Sequence, residues 1–296
     1  MLPEQFLNRM KQMLGDEFPA FLESYEQDKY QALRINPQKT TISSFMEKSP
    51  FSLKQVPWEK NGFYYQKTDA PGKHPYHAAG VYYIQEPSAM APAAYLEAQP
   101  GERVLDLCAA PGGKSTQIAA AMGGEGLLIS NEIHPARAKI LSENIERMGI
   151  RNGMVINESP QSLAKIFESY FDRIMVDAPC SGEGMFRKNT DACEEWSPEN
   201  VENCAMRQQE ILICAAFMLR PGGRIVYSTC TFAPEENEGT ISRFLEEHPE
   251  FHMVEVPLYE GMSPARPEWT KHPAKDLQSG IRLFPHKLHG EGHFLA

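Results

Sequence analysis

The sequence predicts a doubly wound α/β fold, with a mainly parallel seven-stranded sheet flanked by helices and a small N-terminal α+β module in front of it. From Gly101 onward, short apolar runs alternate with longer segments of helical period, the pattern of parallel strands joined by crossover helices. Composition is that of an ordinary globular chain, 42% hydrophobic and 23% charged. At 296 residues it has room for one large α/β domain plus a smaller piece, since cores split beyond ~250 to 300 residues. The module is assigned residues 1–75 and the large domain residues 76–296.

Along the chain, residues 4–14 and 19–29 read as short amphipathic helices, and QALRINPQKTTI (31–42) as an extended stretch. The alternation then runs RVLDLC, a helix from Gly113, GLLIS, a helix over 136–148, MVIN, a helix over 161–170 and RIMVDAP. It continues with a long helix over 200–219, GRIVYSTC, a helix over 234–247, a strand at FHMVEVP and a last strand at GHFLA. Residues 261–279, rich in Pro, Lys and small polar residues, read as a loop.

The N-terminus lacks the apolar core of a signal peptide, and no run reaches the ~18 apolar residues of a membrane span. A cytoplasmic protein with no membrane association is expected. The six cysteines are then reduced thiols, and no CxxC pair suggests a metal.

Three unusual segments end strands of the predicted sheet, where ligands of open parallel sheets bind. They are CAAPGGKST (108–116), DAPCSGEG (177–184) and STCT (228–231). The Gly112-Gly113 turn opens a helix whose amides can meet a polar ligand, and Glu132 closes the next strand, where an acid can hold ribose hydroxyls. Together they point to an adenosine-containing cofactor. Gly113-Lys114-Ser115 ends like a phosphate-binding loop, but that motif needs glycine where Cys108 stands, and Pro111 removes an amide from the phosphate nest.

Cys180 and Cys230 end adjacent strands, an arrangement suited to covalent chemistry on a poorly nucleophilic base. A thiolate adding to carbon 6 of cytosine makes carbon 5 reactive toward a sulfonium methyl donor, and a second group must then help remove a proton and expel the thiolate. Spacing alone does not say which cysteine attacks. Taken singly each is more often a buried core residue, and Cys108, Cys193, Cys204 and Cys214 read that way.

LDLCAAPGGKST, VDAPCSGEGMFRK and YSTCTFAPEENE resemble, in order, the cofactor loop, proline-cysteine motif and threonine-cysteine motif of the Nop/Sun family of RNA cytosine-5 methyltransferases, and within it the bacterial RsmF-like ribosomal RNA enzymes. LRIN (33–36), YYIQEPSAM (82–90) and GHFLA extend the likeness over nearly the whole chain. The resemblance implies a Rossmann-like class I methyltransferase domain using S-adenosylmethionine. It implies that Cys108, Ala109, Ala110, Pro111, Gly112, Gly113 and Lys114 surround the cofactor, that Glu132 holds its ribose, and that Asp177 lies between cofactor and cytosine. Cys230 becomes the nucleophile, Cys180 assists release, and Lys114 contacts the target nucleotide.

Where many relatives place an acid for the adenine amino group, this chain has Ser159, preceded by Glu158. Relatives also carry further C-terminal segments, so the chain reads as a catalytic part. The implied substrate is 16S ribosomal RNA in the small subunit, bound by a monomer. Transfer RNA, or a role as an inactive RNA-binding assembly factor, are the alternatives. The net charge of −10 opposes tight RNA binding. Residues 1–73 hold ten Lys/Arg against nine Asp/Glu, leaving 19 against 30 for the rest, so the N-terminal part is the better candidate for an RNA grip.

Overall fold

The computed structural model describes residues 2–188 and 191–296. By packing, the chain sorts into two compact units, residues 30–177 with 214–227, and residues 1–29 with 178–213 and 228–296. This grouping does not follow the expected division at residue 75.

The first unit holds two sheets. In the smaller, β1 (Ala32–Ile35), β2 (Lys54–Gln55), β3 (Gly62–Tyr64) and β4 (Tyr82–Ile84) lie antiparallel in the order β2-β3-β1-β4. Leu33, Ile35, Phe45, Phe63 and Tyr82 form its core. Helix Ile42–Lys48 supplies Phe45, and Thr41 caps it by accepting from the Ser44 amide at 3.2 Å.

The larger sheet contains β5 (Arg103–Asp106), β6 (Leu127–Asn131), β7 (Gly153–Ile156), β8 (Phe171–Asp177) and the first part of β9 (Leu219–Thr229), in the order β9-β8-β5-β6-β7. β5 pairs parallel with β6 and β8, and β6 with β7. The chain builds outward from β5 to β7 and then returns to the other side of β5 with β8. That reversal makes the carboxyl ends of β5, β6 and β8 the place where a ligand crevice forms. Helices Gly113–Met122 and Pro135–Met148 make the first two crossovers, and each ends on a glycine in the left-handed region, Gly123 and Gly149.

In the second unit, helix Glu4–Leu14 buries Phe6, Met10 and Leu14, one stripe at a spacing of four. These pack with Phe21, Phe186, Trp196, Val201, Phe232 and Phe284. This explains the grouping of residues 1–29, whose apolar stripe is completed by aromatic residues from far along the chain. β10 (Met262–Pro264), β11 (Ile281–Leu283) and β12 (His293–Leu295) form an antiparallel set, and β12 pairs with Ser228 and Thr229 at the end of β9. Helix Glu238–Glu247 begins with Glu238, fully buried in an ion pair with fully buried Arg282.

Several elements differ from expectation. FHMVEVP forms no strand: Glu255 and Val254 are exposed and Pro257 has no amide to donate. Strands form instead at 262–264, inside the expected loop, and at 281–283, so among the described residues eight strands rather than seven follow from Arg103. The helix expected over 19–29 is Phe18–Glu23, where the Ser24 hydroxyl turns back to the Phe21 carbonyl at 2.6 Å. The one expected over 161–170 is Pro160–Ala164. The one expected from Pro234 begins at Glu238, because the Asn237 and Gly239 amides both close a turn on the Pro234 carbonyl. Among the described residues, no helix is long and apolar enough to cross a membrane.

Candidate active site

In the first unit, the β5 loop and the end of β8 shape a cleft of about 230 Å³. Cys108, Ala109, Ala110, Pro111, Gly113, Lys114 and Asp177 line it, as do Tyr83 of β4 and Gln85 and Glu86 just after it. Gly112 sits at φ +109°, a conformation that side-chain-bearing residues rarely adopt, and so turns the chain into the helix. A Cβ on Gly113 would meet the Gln85 amide at 3.2 Å and the Tyr83 ring at 3.4 Å, so the loop backbone lies close against that segment.

Lys114, in the first turn of the helix, is nearly buried and donates to Asp177 Oδ2 at 2.7 Å. Beneath the loop, Asp106 is fully buried; its Oδ2 accepts from Ser115 Oγ at 2.6 Å and its Oδ1 has no partner among the described residues. Burial pushes its carboxyl up to about 7, with the Asp177 and Glu132 carboxylates adding to the effect against the Ser115 hydrogen bond and Lys114. Burial, with Asp106, Asp177 and Glu132 nearby, also raises the Cys108 thiol, which therefore stays protonated.

Glu132 immediately follows β6 and is 3% exposed. Its Oε1 accepts from the His134 amide at 2.9 Å, and its Oε2 lies 3.4 Å from Arg137. Neither Glu132, Gly112 nor Ser159 lines the cleft itself. Ser159 caps helix Pro160–Ala164, accepting from the Ser162 amide at 3.1 Å and donating to Ser162 Oγ at 2.9 Å. Its neighbour Glu158 is exposed.

In the second unit, Cys180 and Cys230 come together, their sulfurs 3.3 Å apart. Its side-chain hydrogen bond with Cys230, in which the Cys180 thiol is the donor, and then burial hold Cys180 well above its ordinary range, so it keeps its proton. Two fully buried carboxylates brace the loops that carry the thiols. Glu183 takes an ion pair from Arg9, the Trp196 Nε1 hydrogen at 2.8 Å and the Phe232 amide at 3.2 Å. Glu236 accepts from the Ser181 amide at 3.0 Å, from Gln208 Nε2 at 2.7 Å and from the Ser181 hydroxyl. The Gly184 amide donates to the Cys230 carbonyl at 2.9 Å, and a Cβ at Gly184 would lie 2.4 Å from the Gly292 carbonyl oxygen.

Sequence reasoning missed several of these residues. Arg34 is fully buried and donates to the Gly113 carbonyl at 2.9 Å, Thr116 Oγ1 at 2.7 Å and Gln85 Oε1 at 3.2 Å, tying β1 to the first turn of the Gly113 helix. A charged residue inside the apolar run ALRI was the available signal. Tyr83, Gln85, Glu183 and Glu236 lie inside recognised segments, but nothing in their spacing tells a bracing residue from a solvated one.

Residues 93–296 match the family model of 16S rRNA methyltransferase RsmB/F, and residues 2–87 match that of the N-terminal domain of 16S rRNA methyltransferase RsmF. The chain is 36% identical over 305 residues to the ribosomal RNA small subunit methyltransferase F of Erwinia tasmaniensis, covering 99% of this chain and 62% of the relative. Against the protein of the same name from Escherichia fergusonii, the values are 36% over 306 residues, with the same coverage. The chain thus spans about three fifths of the length of these curated relatives. The crystal structure of a methyltransferase homolog from Pyrococcus horikoshii superimposes with a TM-score of 0.85 at 29% identity, covering 99% of this chain and 93% of that one. The fold is Rossmann-like and of the methyltransferase type, and the chain belongs to the RsmB/F family of methyltransferases.

Proposed function

We propose that this chain transfers a methyl group from S-adenosylmethionine to carbon 5 of cytosine in RNA, through a covalent bond between Cys230 and carbon 6 of the base. The observation that carries this reading is the pair of thiols 3.3 Å apart, one at the end of β9 and the other three residues beyond Asp177. Two buried carboxylates brace their loops, which is more support than thiols serving only as core filling require.

The first unit suits the methyl donor. A glycine turn that can be approached closely, the buried Glu132 carboxylate beyond β6 and the Asp177 carboxylate in the cleft match an adenosine carrying a positive sulfonium. Residues 108–114 would surround it, Glu132 would hold the ribose, and Ser159, or Glu158 in its place, would meet the adenine. When bound, S-adenosylmethionine supplies an electrophilic methyl group. Asp177 is assigned a place beside both donor and cytosine, and Lys114, held by Asp177, contacts the target nucleotide.

Cys230 as thiolate adds to carbon 6, which makes carbon 5 nucleophilic. After methylation the carbon-5 proton leaves and the Cys230–carbon bond breaks. Cys180, a thiol beside Cys230, passes its proton to the departing Cys230 sulfur and takes up the carbon-5 proton, so that both sulfurs end as thiols. Carbon 6 is attacked from above the ring, so the target base is flipped or single-stranded.

We assign the substrate as 16S ribosomal RNA in the small subunit, because the curated relatives are named ribosomal RNA small subunit methyltransferase F. The enzyme acts as a cytoplasmic monomer, with residues 1–75 serving the RNA. The net charge of −10 makes naked RNA a weak ligand for the chain alone. Transfer of labelled methyl from S-adenosylmethionine to small subunits tests the assignment: 5-methylcytosine in the 16S RNA supports it, and label in transfer RNA alone moves the substrate to that class.

A further inference from the structure

One buried group in the second unit has no part in the chemistry so far. Glu236 is fully buried six residues beyond Cys230, and its carboxylate accepts from Ser181, which follows Cys180, and from Gln208. Its Oε2 accepts from the amide of Ser181 at 3.0 Å and from Gln208 Nε2 at 2.7 Å. Gln208, itself fully buried, shares the same nitrogen with the carbonyl of Pro179 at 3.0 Å. The residues before and after Cys180 are therefore both anchored to one carboxylate. Cys230 is held only at one remove: the Ser181 hydroxyl, bonded to Glu236, pairs with Thr231 Oγ1 at 2.8 Å.

We propose that Glu236 is the positioning residue of the release step, fixing Cys180 against Cys230 so that the covalent enzyme–RNA species can be resolved. This rests on the covalent route proposed above. The unequal grip sets the direction of the effect. Attack needs Cys230, whose backbone is also held by the Gly184 amide. Release needs Cys180 to take up the carbon-5 proton while its own proton passes to the departing Cys230 sulfur, and the Cys180 loop depends on Glu236 directly. A carboxylate accepts from all these donors, whereas an amide turns a donor toward the Ser181 or Gln208 N–H groups and must break the set. Burial pushes the Glu236 carboxyl up to about 7 against its hydrogen bonds from Ser181 and Gln208, so the full set of acceptors is present from neutral pH upward.

The test compares wild type, Glu236→Gln and Cys180→Ala in S-adenosylmethionine binding by calorimetry, methyl transfer to RNA, and protein–RNA complex surviving denaturing electrophoresis. Glu236→Gln should bind the cofactor as wild type does, turn over roughly 10- to 100-fold more slowly, as sub-ångström misplacement does, and accumulate the covalent complex as Cys180→Ala does. A purely structural role would lower turnover without the complex, and that result, with Cys180→Ala still trapping RNA, overturns the proposal and leaves the covalent route standing. Wild-type turnover in Glu236→Gln overturns it equally. No complex with Cys180→Ala overturns the covalent route, and the proposal with it. If Glu236→Gln does not fold, Ser181→Ala decides: it keeps the carboxylate but cuts the link to Thr231, and should accumulate the complex; if it does not, the proposal fails.

Discussion

Replacing Asp106 by asparagine should stabilise the protein at neutral pH and leave it little changed in acid. Asp106 is fully buried under the 108–114 loop, and one carboxyl oxygen has only the Ser115 hydroxyl. Its carboxyl is pushed from 3.8 up to about 7, chiefly by burial. The raised value fixes the sign. Below pH 3.8 the group is protonated in both folded and unfolded chains and imposes no penalty. As pH rises toward 7, the unfolded chain ionises first, so stability is lost across that window and levels off above it. A shift of about three units at ~1.4 kcal/mol each gives a loss of about 4 kcal/mol. Asp106→Asn removes that titration, while other titrating groups, Glu236 among them, remain in both proteins. Urea unfolding at pH 4, 5.5 and 7.5 should show the variant gaining on wild type by roughly 3 to 4 kcal/mol over the series. Parallel stability curves for the two proteins would refute the reasoning, since a carboxyl ionised in the folded state imposes no such difference.

Arg282→Met should destabilise by about 3 to 5 kcal/mol, because it leaves the Glu238 carboxylate buried and unpaired, and adding Glu238→Leu should restore most of the loss. Urea unfolding of both decides, and a single variant within ~1 kcal/mol of wild type would contradict it. Gly184→Ala should lower methyl transfer about 100-fold, since a Cβ 2.4 Å from the Gly292 carbonyl and 2.9 Å from that of Cys230 must displace backbone beside the nucleophile. Full activity would show that the loop position does not matter. Glu132→Ala should weaken S-adenosylmethionine binding by roughly 10- to 100-fold, the worth of a charge-assisted hydrogen bond. An unchanged calorimetric Kd would remove Glu132 from the cofactor site.

Much of the α/β architecture was legible because its strands are short apolar runs bounded by breakers, and because Gly112 and the two cysteines sit where such strands end. The antiparallel set was not. FHMVEVP has the alternation of a strand but exposes Val254, whereas Met262 and Ser263 are buried in a stretch whose Pro and Lys content reads as loop, and the buried strand Ile281–Leu283 follows just after it. Local pattern cannot weigh a pairing made between segments some 20 residues apart. The same limit hid the partners of Phe6 and Met10, which are aromatic residues near positions 186, 232 and 284. At the site, motif strings located Lys114, Asp177, Cys180 and Cys230. Glu236 and Arg34 became visible only through burial and hydrogen bonding, because a buried bracing carboxylate and a solvated one look alike in sequence.

The most direct measurement is covalent trapping with the two cysteine variants, incubated with S-adenosylmethionine and small-subunit RNA and run on a denaturing gel. Cys230→Ala should give neither methylation nor a retarded protein–RNA band, because the attacking sulfur is gone. Cys180→Ala should methylate its target and then stall, leaving the band. A band with Cys230→Ala instead would exchange the two roles. No band with either, and methylation intact in one of them, would contradict a cysteine-bound intermediate.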